Sequence, residues 1–146
     1  MLIYSKYHTR PLFSYFNMGN ERLTTTANAR SLGVVLDDNT LFDAHVSDIC
    51  RSSSFNQLRN LSKIRKYLTK EKSEIAVHAF ITSKLVFCNS LLYGCRKRQF
   101  KKLQYVQNTA ARIVTQTRKF VHITPVLIDL HWLPVSYRIV VCISIK

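Results

Sequence analysis

The sequence predicts a mainly α-helical fold, an antiparallel bundle of three main helices with a small β element on its N-terminal side. Three observations predict it. From residue 40 onward, apolar side chains recur three and four residues apart, the period of a helix face. The stretch 103–114, LQYVQNTAARIV, sets Leu103, Val106, Ala110, Ile113 and Val114 on one such face, with Gln104, Gln107, Asn108 and Arg112 on the other sides. The turn signals Gly19-Asn20 and Asp37-Asp38-Asn39 and the apolar run SLGVVL, in contrast, fall within the first forty residues. A 47% apolar content with three Gly and three Pro belongs to a folded chain, and 146 residues suffice for one domain with a real core.

In chain order, residues 1–12 carry no usable period. Residues 13–18 and 21–26 flank Gly19-Asn20, a turn pair, and predict a hairpin. Residues 31–36, SLGVVL, predict one strand that ends in a turn at Asp37-Asp38-Asn39. Phe42, Val46, Ile49, Leu58, Leu61, Ile64 and Leu68 then give one long helix, or two broken near Ser52–Ser54. Thr69 is placed to cap a second helix, with Glu71 and Glu74 suiting its dipole, an apolar side at Ile75, Ala79, Phe80, Leu85 and Leu92, and Gly94 as its end. A basic loop, Arg96-Lys97-Arg98, leads into a third helix over 99–116. Thr124-Pro125 reads as the start of a short helix to His131, Trp132-Leu133-Pro134 as its break, and Ser136 as the cap of a last helix. The chain thus divides into a β element (1–39), a basic helical bundle (40–119) and a segment of short helices (120–146).

Charge narrows the function. The formal net charge is +14, and residues 51–119 alone carry sixteen Lys and Arg against Glu71 and Glu74. The positive charge therefore belongs to the central helices, and its natural partner is a polyanion. Arg59, Lys63, Lys66 and Lys70 follow at spacings of four, three and four, one stripe of a helix. Arg96, Lys97, Arg98, Lys101 and Lys102 cluster at the start of the third helix, and Arg112, Arg118 and Lys119 continue from it. Such cations contact phosphates, which position a nucleic acid without reading its sequence. Tyr67, Tyr93, Tyr105 and Tyr137 can stack on bases, though half-buried packing is the commoner use of such tyrosines.

Other chemistries find less support. Val35-Leu36-Asp37-Asp38 has the look of a two-metal carboxylate string, yet Glu21 is the only acid N-terminal to it and Asp-Asp-Asn is a good turn. His45 and Asp48 lie three apart and suit a hydrogen bond better than a metal. Cys50, Cys88, Cys95 and Cys142 form no CxxC pair, and reduced thiols are expected, with Cys88 in an apolar context and no nucleophile elbow around Cys88 or Ser90. No phosphate-binding glycine loop occurs, and neither a metal nor a cofactor is expected. The N-terminus lacks an apolar signal core, and the run 139–145 is too short to span a bilayer, so an intracellular protein, cytoplasmic or nuclear, is expected.

Three segments carry a resemblance. They are SLGVVLDDNTLFDAHVSDICRSSSFNQLRNLSKIRKYL (31–68), HAFITSKLVFCNSLLYG (78–94) and KLQYVQNTAARIVTQTRKFVHITPVLIDLHWLPVSYRI (102–139). In this order they resemble the C-terminal part of non-long-terminal-repeat retrotransposon reverse transcriptases, of the jockey and chicken-repeat kind. The resemblance implies that Leu32-Gly33-Val34 closes a palm region and that the following helices form a thumb that holds a template–primer duplex. It also implies that the catalytic aspartates belong to motifs N-terminal to Ser31, that Asp37 lies downstream of them, and that the family's endonuclease domain is absent. Lys84, Val86 and Phe87 stand where the family pattern has an arginine, an aspartate and a tyrosine.

The expectation is therefore a non-catalytic, thumb-like fragment that binds RNA or DNA template–primer duplex without sequence preference. Arg59, Lys63, Lys66, Lys70, Arg96, Lys97, Arg98, Lys101, Lys102 and Arg112 are its contact residues. A packing module or inert remnant that needs a missing palm domain, and an enzyme with no recognised motif, are the alternatives.

Overall fold

The computed structural model describes residues 15–18, 21–24, 28–37, 42–87, 92–93 and 95–144. It is mainly helical with two small antiparallel hairpins. In the first, β1 (Tyr15–Met18) pairs with β2 (Glu21–Thr24), Met18 opposite Glu21, as the Gly19-Asn20 signal requires; the turn pair itself lies outside the described residues.

The second hairpin corrects the expectation of one strand. β3 (Asn28–Ser31) pairs with β4 (Val34–Asp37), so the run 31–36 folds back on itself about Leu32-Gly33. Both turn residues have positive φ, 48° and 83°, the requirement of the turn whose twist matches a two-residue hairpin. Glycine adopts this conformation freely; Leu32 is held in it with its side chain in solvent. The Asp37 carboxylate accepts the backbone N–H of Phe42 at 3.3 Å and ties the hairpin to the first helix, while Asp38 and Asn39 lie outside the described residues.

That first helix neither runs regularly nor breaks at the serines. α1 (Asp43–Asp48) passes through a π-helical stretch (Ile49–Phe55) into α2 (Asn56–Ile64), which tightens to a 3₁₀ turn (Arg65–Tyr67). A wider turn admits the polar residues between two apolar sets without interrupting the backbone hydrogen bonds. Leu68 is extended, and Thr69 caps α3 (Lys70–Val77) by accepting the Lys72 N–H at 3.4 Å, as its sequence position predicts. A second π-helical stretch (His78–Thr82) joins α3 to α4 (Ser83–Val86). The helix stops at Phe87, earlier than the expected end at Gly94, which lies outside the described residues.

α5 (Lys97–Thr115) is the longest helix, 19 residues and about 28 Å at the standard rise. Its Leu103, Val106, Ala110, Ala111 and Val114 are buried, and against them pack α1, α2, α3 and the segments that follow. Gln116 adopts a left-handed conformation and closes the helix, with Thr117 N–H donating to the Arg112 carbonyl at 3.1 Å. α6 (Ile123–Asp129) begins one residue before Thr124, so His122 rather than Thr124 stands at its N-cap. α7 (Val135–Ser144) begins ahead of Ser136, directly after Pro134. Among the described residues no helix is long and apolar enough to cross a membrane.

Polar side chains fasten these pieces to α5. Gln107 is buried and donates to the Leu133 carbonyl at 2.9 Å; the Gln104 carbonyl oxygen accepts Val135 N–H at 2.9 Å. These glutamines are structural, not the surface decoration that their places opposite the apolar stripe predict. Trp132 donates its indole N–H to Glu74 at 3.1 Å and meets the His78 ring edge-on, clamping the same segment to α3. Arg65 reaches across from the 3₁₀ turn to the carbonyls of Ile113 and Val114, at 3.1 and 2.7 Å, and to that of Leu68 at 2.6 Å. The orphan Val114 carbonyl at the end of α5 is thereby satisfied by a charged donor, which also reaches the Ile113 carbonyl that accepts Gln116 N–H.

Arg65→Met keeps the aliphatic stem and removes these bonds, which predicts a loss of about 2–3 kcal/mol in urea unfolding. Arg65→Lys recovers only part of that loss, because one ammonium cannot reproduce the planar fork. Equal stability of Arg65→Met and wild type would contradict this role.

Candidate nucleic-acid interface

The described surface of the central helices is dominated by cations. α2 exposes Arg59 and Lys63, one helical turn apart, and Lys66 follows on the 3₁₀ turn with its ammonium 4.8 Å from the centroid of the Tyr67 ring. Lys70 does not extend this stripe. The chain turns at Leu68, Lys70 opens α3, and its ammonium pairs with Asp129 at 2.8 Å. Lys70 lowers the Asp129 carboxyl below the usual range, chiefly by the hydrogen bond it donates.

The second cluster is denser. Arg96 is the N-cap of α5, and Lys97, Arg98 and Lys101 are exposed in its first turns, with Lys102 half-buried. No acidic residue stands in that first turn. Cations at a helix N-terminus face the positive end of the macrodipole, where acids are the stabilising choice. This arrangement therefore works against helix stability and concentrates positive potential at one end of the bundle. Arg112 lies elsewhere and is engaged: its guanidinium donates to the Val121 carbonyl at 3.0 Å and holds the loop after α5 in place.

The two clusters sit at different levels of α5. Arg65 ties the end of α2 to the end of α5, so Lys66 lies toward that end, while Lys97–Lys102 occupy its start and Lys102 acts on the Cys50 thiol ahead of α2. From residue 102 to residue 114 the helix rises about 18 Å, and Arg59 and Lys63 precede Arg65 on α2. Tyr67, Tyr93, Tyr105 and Tyr137 are all between 61% and 77% exposed, which removes the half-buried packing reading and leaves their rings open to solvent.

A cleft of about 400 Å³ that the sequence did not signal lies between the β3–β4 turn, the start of the first helix and α4. Arg30, Gly33, His45, Asp48, Lys84 and Phe87 are among its lining residues. His45 is 2% exposed; its Nδ1 accepts the Val35 N–H at 3.3 Å, so the neutral ring carries its proton on Nε2. Asp48 pairs with Arg30 at 3.5 Å and not with His45, contrary to the hydrogen bond expected from their spacing. Among the described residues no three His, Cys, Asp or Glu converge to hold a metal ion. Burial pushes the Cys50 thiol up against the opposing pull of Lys102, and burial raises Cys95 as well, with Asp43 and Asp37 adding to it. Cys88 and Ser90 lie outside the described residues.

No known protein family, curated protein or solved structure matches the chain.

Burial lowers the His45 pKa from 6.5, Arg30 adds to the effect, and Asp48 opposes it. The unfolded state then binds the proton more readily than the folded one, so stability is complete above pH 6.5 and is lost as the pH falls below it. The melting temperature is expected to drop between pH 7 and pH 5, with the drop diminished in His45→Gln. An identical profile in the variant would assign the acid sensitivity to other groups.

Proposed function

We propose that this chain is a non-catalytic, thumb-like fragment of a reverse transcriptase of the non-long-terminal-repeat retrotransposon kind, acting inside the cell. It binds RNA or DNA duplex without sequence preference. The observation that carries the reading is the cluster Arg96, Lys97, Arg98, Lys101 and Lys102 at the positive end of α5, with no acid of its own in the first turn and with Asp37 and Asp43 felt beside it at Cys95. A fold that merely needed solubility would place acids there. Arg59 and Lys63 of α2, with Lys66 after it, give a duplex a second set of contacts, and phosphate contacts of this kind position a nucleic acid without reading its sequence. The segments behind the resemblance to that family also hold one another: Arg65 of 31–68 donates to the Ile113 and Val114 carbonyls of 102–139, and His78 of 78–94 meets the Trp132 ring of 102–139 edge-on. They therefore act as one structural unit, which supports reading them together.

Polymerisation is not part of the proposal. Phosphoryl transfer of this class requires metal-binding carboxylates, and the cationic surface supplies positioning alone. Among the ten candidates, Lys70 and Arg112 are engaged with Asp129 and Val121, so the weight falls on Arg59, Lys63, Lys66, Arg96, Lys97, Arg98, Lys101 and Lys102. A second reading has its own observation. Ile75, Phe80, Val86 and Phe87 are exposed along α3 and α4, as a packing module that lacks its partner domain would leave them.

A salt series with a labelled RNA–DNA hybrid separates the two. The nucleic-acid reading predicts a logarithmic slope equivalent to roughly four to eight phosphates, flattened when Lys63, Lys66, Lys101 and Lys102 are all changed to Glu. Absent or salt-insensitive binding by folded protein, with strong binding of an apolar dye, would contradict it in favour of the packing module.

A further inference from the structure

The last turn of the first helical run and the loop after α5 meet at one end of the bundle, because Arg65 bonds to the carbonyls of Ile113 and Val114. The two most exposed aromatic side chains described are presented there. Phe120 is 96% exposed and Tyr67 is 77% exposed. Neither can be attributed to a loose segment. Gln116 closes α5 in a left-handed conformation, Thr117 N–H bonds to the Arg112 carbonyl, Val121 N–H bonds to that of Arg118, and the Arg112 guanidinium holds the Val121 carbonyl. Thr115 and Thr117 share a hydroxyl hydrogen bond at 2.7 Å beneath the same loop. The ring of Phe120 is thus held out into water by a built turn.

Leaving a phenyl ring in water forfeits most of its burial energy, so the turn that holds it there calls for a ligand. Its surroundings indicate which. Arg118 and Lys119 are exposed directly before Phe120, Lys66 sits over Tyr67, and no acidic residue occurs between Glu74 and Asp129. Two aromatic faces, each beside a cation, match a strand that alternates flat bases with phosphates. A bilayer would favour a contiguous apolar surface instead, whereas Phe120 and the part-exposed Val121 are flanked in the chain by exposed Arg118, Lys119 and His122. Duplex alone would engage the cations and leave both rings idle.

We propose that this end of the bundle is a platform for unpaired bases, with Phe120 stacking on one base while Arg118, Lys119 and Lys66 hold the neighbouring phosphates. The inference rests on the nucleic-acid reading above and adds a single-strand site to its duplex surface. Phe120 sits in solvent, so its replacement leaves the core untouched.

The test compares wild type, Phe120→Ala and Phe120→Trp on three probes: an oligouridylate of about 12 nucleotides, a blunt hybrid duplex of the same length, and phosphatidylserine vesicles. Phe120→Ala is expected to weaken oligouridylate binding about fivefold or more, with its salt slope and duplex affinity unchanged; Phe120→Trp restores it with quenching of the new indole. Undiminished oligouridylate binding by Phe120→Ala, or equal loss on both nucleic acids, overturns the platform and leaves the duplex reading standing. Vesicle capture without oligouridylate binding also overturns it, in favour of a membrane surface. Wild type that binds neither nucleic acid overturns both readings.

Discussion

The structure depends on one seam. Along α5, Leu103, Val106, Ala110, Ala111 and Val114 are removed from water, and every helical run described has its apolar face turned toward them. The two alanines let neighbouring helices approach the α5 backbone closely. A helix this enclosed cannot solvate its own termini on all sides, and the surrounding elements answer for it. Arg65 satisfies carbonyls at its C-terminal end, and Gln104 and Gln107 convert exposed-looking positions into hydrogen bonds for the segment 133–135. Packing and polar satisfaction are therefore carried by the same helix.

That economy has a consequence for charge. Once one side of α5 is committed to the core and two glutamines to its clamp, the cations are left to its start and to the neighbouring α2. Surface ion pairs such as Lys70–Asp129 and Arg30–Asp48 neutralise only a few of them and contribute little stability of their own. Most of the +14 is therefore presented to solvent by rigid elements, the condition under which a charge pattern can engage an extended polyanion.

Much of the fold was legible in the sequence because it rests on local rules. Helical periodicity located α5 to within two residues, Thr69 announced its cap, and Gly19-Asn20 announced the first hairpin. What was not legible arises from tertiary context. The Leu32-Gly33 fold-back lies inside an apolar, β-branched run that alone favours one strand. The π-helical stretches keep a helix continuous where polar residues suggested a break. His122 displaced Thr124 as the cap, although Thr-Pro is the stronger local signal. In the candidate interface, residue type identified the cations, yet the engagement of Lys70 and Arg112 depends on Asp129 and Val121, partners that helix spacing does not reveal. The exposure of the tyrosines and the cleft at His45 likewise exist only once the helices are assembled.

Hydrogen exchange of the backbone amides, followed residue by residue under native conditions, tests the central role of α5 most directly. The account predicts that amides of 106–114 exchange slowest in the chain, at the rate set by global unfolding, while those of α6 and the β1–β2 hairpin exchange through smaller openings. If 106–114 exchanged as fast as the hairpin, α5 would not be the element on which the rest is built.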